Sequence, residues 1–199
     1  MGNVGNKETV VVSRQTEFDD AVNRDVNIEI RNAWESIDVG GREVAVYDNS
    51  LVTARTGAII RAFNQSKVDA YGGMVIARDS SKVYAHKNTV VHAYDKAEIF
   101  AHHQTKVDAH NTSAIDSFDE SIIFAYDQSI VHAHDDSRVH LFGHSVGHVY
   151  DRAVVFGTEY ANIFTHSPDA KVTVEGMNVS QVVDINQQYD AEYSKSLRR

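Results

Sequence analysis

Residues 81–104 read SKVYAHKN-TVVHAYDK-AEIFAHHQ, three consecutive segments of eight residues that share one pattern. When each segment is numbered from position one at Ser81, position three is Val or Ile, position five is Ala, and position one is small. These octads continue from residue 49 to residue 165, with one shorter step of seven residues between Val68 and Val75. A repeat at a fixed short period indicates a chain built from one stacked structural unit.

The pattern within each octad predicts a strand followed by a corner. Positions one, three and five alternate with polar or aromatic residues at positions two, four and six, which is the period of a half-buried β-strand. Positions seven and eight are turn-formers such as Asp95-Lys96 and Asn111-Thr112, which accept left-handed backbone angles and whose side chains can bond their own backbone. Corners of constant length favour the stacked coils of a β-solenoid over an antiparallel meander.

The number of octads in one coil follows from which outward residues stack. At a step of 24 residues, position six gives chemically uniform columns such as His86, His110 and His134, whereas a step of 16 residues mixes His, Phe and Tyr. We therefore predict an all-β, single-stranded parallel β-helix with triangular coils of about 24 residues and three eight-residue faces, right-handed like other parallel crossovers.

The chain divides into three parts that we expect to form one structural domain. Residues 1–48 predict a strand, a short N-terminal capping helix with Thr16 as its capping residue, and the first coil. Residues 49–184 form the octapeptide-repeat β-helix, and residues 185–199 a C-terminal tail or short helix. The helix would cover the open strand edges at the start of the solenoid.

Composition excludes several classes of function. The 199 residues include no cysteine, which excludes a disulfide scaffold and zinc fingers, and no apolar run of membrane-spanning length. The formal net charge of −9 argues against direct nucleic-acid binding, which requires a basic surface. We expect neither a membrane nor a nucleic acid among the partners.

Catalytic motifs are present only in contexts that do not support them. The segment Gly143–Gly147 matches the nucleophile elbow of serine hydrolases, but that motif requires a following helix and Ser145 occupies repeat position one. The acidic pairs Asp119-Glu120 and Asp135-Asp136 fall at corners, where carboxylates usually solvate a turn. We expect no enzyme and no cofactor.

All eleven histidines lie between His86 and His166. A column that combines His86, His110, His132 and His134 would space imidazoles about 5 Å apart, close enough to share a metal ion. The alternative is a solvated ladder of stacked rings with no metal.

The third face of the triangular coil carries an unusual number of rings. Its outward members are Phe100, His102, Phe124, Tyr126, His148 and Tyr150. A continuous strip of exposed rings usually marks an interface, and we predict that this one forms a homodimer. The alternative is that a terminal segment folds over the strip.

Two parts of the sequence resemble known families. The opening, with Thr16–Val22 followed by Val26–Ile30, is similar to the capping helix and first strand of pectate-lyase-like right-handed β-helix proteins. The octads resemble the Ser-x-Val-x-Ala repeats of phage and actinobacterial proteins of unknown function, although those relatives often carry Trp-Gly after the alanine and this chain has His, Tyr or Phe and then Asp.

The second resemblance implies a phage or mobile-element source and a non-enzymatic interaction protein in the host cytoplasm. Its partner would be a foreign protein, for example a host defence component that it inhibits, in part by mimicking nucleic acid. The alternatives are a carbohydrate-binding or carbohydrate-cleaving β-helix of a phage tail, located in the virion, and metal binding by the histidines.

Overall fold

The computed structural model describes residues 7–158, 160–176 and 182–185, which form two parallel β-sheets wound into a solenoid of about eleven turns with a single short helix. From β2 onward the chain alternates between the sheets, so that each coil contributes one strand to each sheet. Within this described part, no helix has the length and apolar character needed to cross a membrane.

The two sheets differ in which strands they contain. In spatial order the first sheet consists of β1 (Thr9–Val12), β2 (Asn27–Ile30), β4 (Glu43–Val46), β6 (Ile59–Ala62), β8 (Met74–Ala77), β10 (Val90–Ala93), β12 (Lys106–Ala109), β14 (Ile122–Ala125), β16 (Arg138–Leu141), β18 (Val154–Gly157) and β20 (Lys171–Val174). The second sheet consists of β3 (Ile37–Gly40), β5 (Leu51–Arg55), β7 (Lys67–Tyr71), β9 (Lys82–His86), β11 (Glu98–Ala101), β13 (Ala114–Ser117), β15 (Ile130–Ala133), β17 (Val146–Val149), β19 (Asn162–Thr165) and β21 (Val182–Asp184). We call the outward surface of the first sheet the even face and that of the second sheet the odd face.

The β-solenoid is confirmed, but the triangular coil is wrong. Repeat strands pair in parallel with partners sixteen residues away, for example Val91 with Val107, so two octads make one coil and the described residues form two faces instead of three. The prediction failed because stacking does not require identical rings. His102 stacks on Phe118 with a centroid distance of 4.8 Å and an interplanar angle of 8°. The right-handed winding stays a prediction.

The core is narrow and filled by positions one, three and five. Ser81, Val83 and Ala85 of one octad are all fully buried, and the other octads repeat this arrangement. At some octads the position-one hydroxyl bonds to the preceding corner, since Thr105 Oγ1 and Ser129 Oγ each donate to the carbonyl oxygen three residues earlier at 2.7 Å. Any functional site must therefore lie on a face or at a corner.

At most corners of the repeat, the residue at position seven has a left-handed conformation and its side chain bonds to the preceding coil. Asp127 has a φ of 58°, and its Oδ2 accepts the backbone N–H of Asn111, sixteen residues earlier, at 2.8 Å. The expectation that these side chains bond their own backbone is therefore wrong, because the acceptor is directed along the solenoid axis. The residues whose side chains accept such a bond are Asn64, Asp79, Asp95, Asn111 and Asp127 at one corner, and Asp119, Asp135, Asp151 and Ser167 at the other.

The shortened octad before Val75 depends on two glycines. Gly72 and Gly73 have φ angles of 106° and 85°, which only glycine adopts readily. A Cβ atom on Gly73 would lie 2.5 Å from the carbonyl oxygen of Ala58. The glycines thus let the chain cross this corner with one residue fewer while β6 and β8 stay paired.

A short helix, α1 (Gln15–Ala21), occupies the place of an odd-sheet strand in the first coil, which confirms the capping helix. Its Gln15 side chain accepts the backbone N–H of Asp38 at 2.8 Å and donates to the Asp38 carbonyl oxygen, so it satisfies the edge of β3. Thr16 lies inside the helix and is not its cap. Instead, Glu17 Oε2 accepts the backbone N–H groups of Ser13 and Arg14, and the bond from Ser13 is the main reason that the pKa of Glu17 is lowered.

The coils begin well before residue 49, because β2 and β3 already pair with the strands that follow them. The sequence predicts a coil within residues 1–48, and the boundary at residue 48 stays a prediction. Of the C-terminal tail predicted for residues 185–199, residues 186–199 lie outside the described residues, and the tail stays a prediction.

At one place in the core, a residue larger than usual packs against a residue smaller than usual. Position five holds Leu141 where most octads have alanine, and position three of the next octad holds Gly147 where the others have Val or Ile. A Cβ atom on Gly147 would lie 2.6 Å from Leu141 Cδ1 across the core. The leucine thus fills the space that the glycine leaves.

We expect Gly147→Val to destabilise the fold by about 1–3 kcal/mol through overpacking, and Leu141→Ala by about 2–5 kcal/mol through a cavity. The double variant restores the usual pairing of valine with alanine, so its free energy of unfolding should lie within about 1.5 kcal/mol of the wild type. Urea unfolding followed by circular dichroism measures all three. Additive losses in the double variant would contradict the packing exchange.

The hydrogen bonds between the corners of successive coils give a second expectation. Asp127→Ala should cost about 1–2 kcal/mol, because alanine tolerates the left-handed angle poorly and removes the acceptor for Asn111. Asp127→Asn should stay within about 0.5 kcal/mol of the wild type, since asparagine fills the same role at position 111. Equal losses in the two variants, measured by chemical unfolding, would show that the side-chain oxygen is not what matters.

Candidate functional site

The odd face carries a continuous stack of rings at position six. Its seven members are Tyr71, His86, His102, Phe118, His134, Tyr150 and His166. Neighbouring centroids lie between 4.4 Å and 5.2 Å apart, and the interplanar angles do not exceed 16°. Because successive coils are about 4.8 Å apart, each ring covers the face of the next.

A second column of side chains runs beside the first at position four. It consists of Tyr84, Phe100, Asp116, His132, His148 and Phe164. Tyr84 stacks on Phe100 at 4.9 Å, and His148 stacks on Phe164 at 5.0 Å. The odd face therefore presents a double column of rings.

Hydrogen bonds join members of this double column. His132 Nδ1 lies 2.8 Å from Asp116 Oδ1, and His148 Nδ1 lies 3.0 Å from His166 Nε2, so one imidazole of that pair donates to the other. The contact between His148 and His166 connects position four to position six. This contact joins the two columns near the C-terminal end of the odd face.

The even face mixes rings with aliphatic side chains. Its position-six column contains Tyr47, Phe63, Arg78, Tyr94, His110, Tyr126 and Phe142. Arg78 stands in for a ring there, with its guanidinium carbon 4.7 Å from the centroid of Tyr94. Positions two and four of the same face include Ile59, Met74, Ile76, Val90, Ile122, Phe124, His140, Val154 and Phe156, together with the charged residues Glu43, Arg61, Lys106, Asp108, Arg138 and Lys171.

Burial within the columns lowers the pKa of four histidines. For His86, His140, His148 and His166 the largest cause is desolvation, which disfavours the charged imidazolium. Neighbouring imidazoles lower the pKa further, since His86 faces His102 and His148 faces His166. These four imidazoles therefore resist protonation in the folded protein.

The predicted interface strip is split between the two faces. Phe100, His102, His148 and Tyr150 lie on the odd face, and Phe100 and His148 belong to its position-four column. The remaining two members, Phe124 and Tyr126, lie on the even face. The strip as predicted is wrong, because it was built on a coil of 24 residues.

The four predicted metal ligands do not converge. The structure places His86 and His134 in one odd-face column, separated by His102 and Phe118, while His110 lies on the even face. His132 is bonded to Asp116 in the neighbouring column. In the ranges that the structure describes, no three His, Asp or Glu side chains are placed to hold a metal ion, so the geometric basis of that prediction is wrong.

The hydrolase motif and the acidic corners have structural roles. Ser145 is fully buried and precedes the strand β17, so it cannot act as the nucleophile of an elbow. Asp119 and Asp135 each accept a backbone N–H from the coil before, at the edge of a shallow groove of about 720 Å³. In the same groove the guanidinium of Arg152 holds the pKa of Asp136 below its usual range.

Sequence reasoning missed the stacking of Tyr84 on Phe100 and of His148 on Phe164 on the odd face, and the apolar pairs on three strands of the even face, β8, β14 and β18. A usable signal was present in the charges, since Lys82 pairs with Glu98 and Asp136 with Arg152, each sixteen residues away. Complementary charges at that spacing indicate a coil of two octads.

Comparison of the chain with protein family models, curated proteins and solved structures finds no match in any of the three. The structure alone therefore defines the class of protein, which is a two-sided parallel β-solenoid. The resemblance to phage and actinobacterial repeat proteins stays a prediction.

The lowered histidine pKa values predict a loss of stability in acid. A group whose pKa is lower in the folded than in the unfolded state reduces the free energy of unfolding as the pH falls below its ordinary value of 6.5. His140 stacks between Phe124 and Phe156, so His140→Phe should keep the stack and reduce the loss between about pH 7 and pH 5. Urea unfolding of the wild type and the variant at the two pH values measures the loss of stability in each.

His144→Phe is the matched control, because His144 lies exposed at a corner. This change should leave the pH dependence as it is in the wild type. If His140→Phe lost as much stability in acid as the wild type, protonation of His140 would not be a cause of that loss.

Proposed function

We propose that this chain is a non-catalytic interaction protein whose odd face binds another protein. The double column of stacked rings is the observation that carries the proposal. The core is filled at positions one, three and five, so the flat faces are the largest regular surfaces that the coils offer to a partner.

The orientation of the rings favours a protein over a carbohydrate. Sugars pack against the free face of an aromatic ring, but in the position-six column the faces of the inner rings are covered by their neighbours, as for Phe118 between His102 and His134. The outward edges carry the positive part of the ring quadrupole, and histidine and tyrosine add polar groups. Such edges suit the carbonyl and carboxylate oxygens of a protein partner.

The charge content of the odd face points in the same direction. The position-four and position-six columns include only two acids between β7 and β19, Asp69 and Asp116, and no lysine or arginine. Enrichment in aromatic residues with few charges is typical of the centre of a protein interface. The basic groups on the odd-sheet strands from β7 to β19 are Lys67 and Lys82 at position two, and Lys82 is paired with Glu98.

Stacking also lowers the entropic cost of binding. A ring held between two neighbours, like His134 between Phe118 and Tyr150, has already lost much of its rotamer freedom in the folded chain. Binding to ordered side chains loses less freedom than binding to mobile ones. The expectation that the partner is a host defence component rests on the sequence resemblance alone and stays a prediction.

A photo-cross-linking phenylalanine analogue at position 100 tests the proposal in cells that naturally express the chain. We expect irradiation to give a discrete adduct with a foreign protein, identified by mass spectrometry. The same analogue at position 124 of the even face should not give that adduct. Adding Tyr84→Lys to the chain that carries the analogue at position 100 should reduce the yield of the adduct about tenfold or more. The lysine would place a charge beside the ring at position 100, in the middle of the proposed interface.

Met74→Lys on the even face is the matched control and should leave the position-100 adduct intact. The proposal would be overturned if positions 100 and 124 captured the same foreign proteins. It would also be overturned if the purified chain bound a neutral polysaccharide and lost that binding in Phe100→Ala.

A further inference from the structure

One hydrogen bond on the odd face joins two imidazoles and depends directly on how many protons they carry. His148 Nδ1 lies 3.0 Å from His166 Nε2, so one ring presents an N–H group and the other a lone pair. A single additional proton leaves this bond in place, because one of the two facing nitrogens still has its lone pair. A second proton puts an N–H group on both nitrogens, so the bond is lost and two like charges lie side by side.

The rings around this imidazole pair oppose its protonation. His148 stacks on Phe164 with the centroids 5.0 Å apart, and His166 stacks on Tyr150 at 4.4 Å, so both imidazoles lose contact with water. This desolvation is the largest reason that the pKa of each imidazole is lowered, and the nearby His132 lowers both further. Two charges on the pair are therefore stable only when the rings leave these positions.

Among the residues that the structure describes, no carboxylate raises the pKa of either imidazole of the pair. Asp116 lies 2.8 Å from His132 and Asp151 lies 3.7 Å from His134, so these acids stabilise a proton on their own partners. The titratable groups on the elements packed against the pair are His132 on β15, His134 after it, Tyr150 and Asp151 after β17, and Asp184 on β21.

The pair lies where the core of the solenoid becomes thin. Ile163 on β19 is the last fully buried residue of the described chain, and the described residues of β20 and β21 are all half-buried or exposed. Beside the pair, the backbone N–H of His166 donates to the carbonyl oxygen of Val149 at 2.8 Å. A coil with few buried contacts opens locally at a lower free energy than the centre of a structure. Loss of the bond between the imidazoles therefore acts on a coil that is already close to opening.

We propose that His148 and His166 form a pH-sensitive switch, which holds the last coil of the odd face closed at neutral pH and lets it open in acid. The closed pair holds at most one additional proton, whereas the opened pair takes up two below the ordinary imidazole pKa of 6.5. Acid therefore favours the opened coil, and the opening constant rises about tenfold to a hundredfold per pH unit. The switch does not depend on the partner proposed for this face, and it concerns local opening, whereas the expectation for His140 concerns unfolding of the whole chain.

Hydrogen exchange of single backbone amides, followed by NMR on the purified full chain between about pH 7.5 and pH 5, tests the switch. Each exchange rate, divided by the intrinsic rate at the same pH, gives the opening constant of that amide. For the amide of His166 this constant should rise at least about tenfold per pH unit below about pH 6.5. The amide of Tyr150, which donates to the Ala133 carbonyl oxygen at 2.8 Å one coil earlier, should not show this rise.

The double variant His148→Phe with His166→Phe keeps a ring in both stacks and removes both titrating groups. Its opening constant at residue 166 should change less than about threefold over the same pH range. His102→Phe is the matched control, because His102 belongs to the same column as His166, and it should leave the rise as it is in the wild type.

Three outcomes would each overturn the switch. They are a wild-type constant at residue 166 that stays level in acid, an equal rise in the double variant, and an equal rise at Tyr150, which would indicate opening of the whole solenoid. The first and the third need only the wild type, so the test does not depend on the folding of the double variant. None of the three bears on the cross-linking result for the odd face.

Discussion

The structure depends on a bond between one coil and the next that recurs at most corners of the repeat. A residue in the left-handed conformation at position seven aims its side-chain oxygen at the backbone N–H of the corner sixteen residues earlier, as Asp127 does for Asn111. This bond fixes the coil at two octads and keeps the corners in line. The ring columns follow from it, because rings stack only when successive coils stay in register. At Gly143 the backbone angle is retained, but glycine offers no acceptor for Asp127.

Much of the fold could be predicted from the octad because its chemistry is local. A buried small residue at position one, a buried Val or Ile at position three and a left-handed Asp or Asn at position seven each follow from a single residue's preference, and all three are observed. The coil length could not be obtained in this way. It depends on how side chains from different octads meet, and rings as different as His134 and Tyr150 stack as well as identical ones.

The predicted site residues were grouped wrongly because the predicted coil length was wrong. Phe100 and Phe124 belong to the same position in the repeat and differ by 24 residues, so the predicted coil placed them together, whereas the actual coil places them on opposite faces. Other features could not be predicted even with the correct coil. The contact between His148 and His166 runs diagonally between two columns and depends on side-chain orientations that no repeat pattern specifies.

The exchange of Leu141 and Gly147 gives one coil an identity that the others lack. A chain of nearly equal octads can mispair its strands by a whole coil during folding and still bury alanine against valine. Slippage around Leu141 would instead bring it against Val131 or Ile163, the residues that flank Gly147 in the odd sheet. The exchange therefore penalises out-of-register winding. In a repetitive chain, a single irregular coil can serve as the reference point from which all the others are counted.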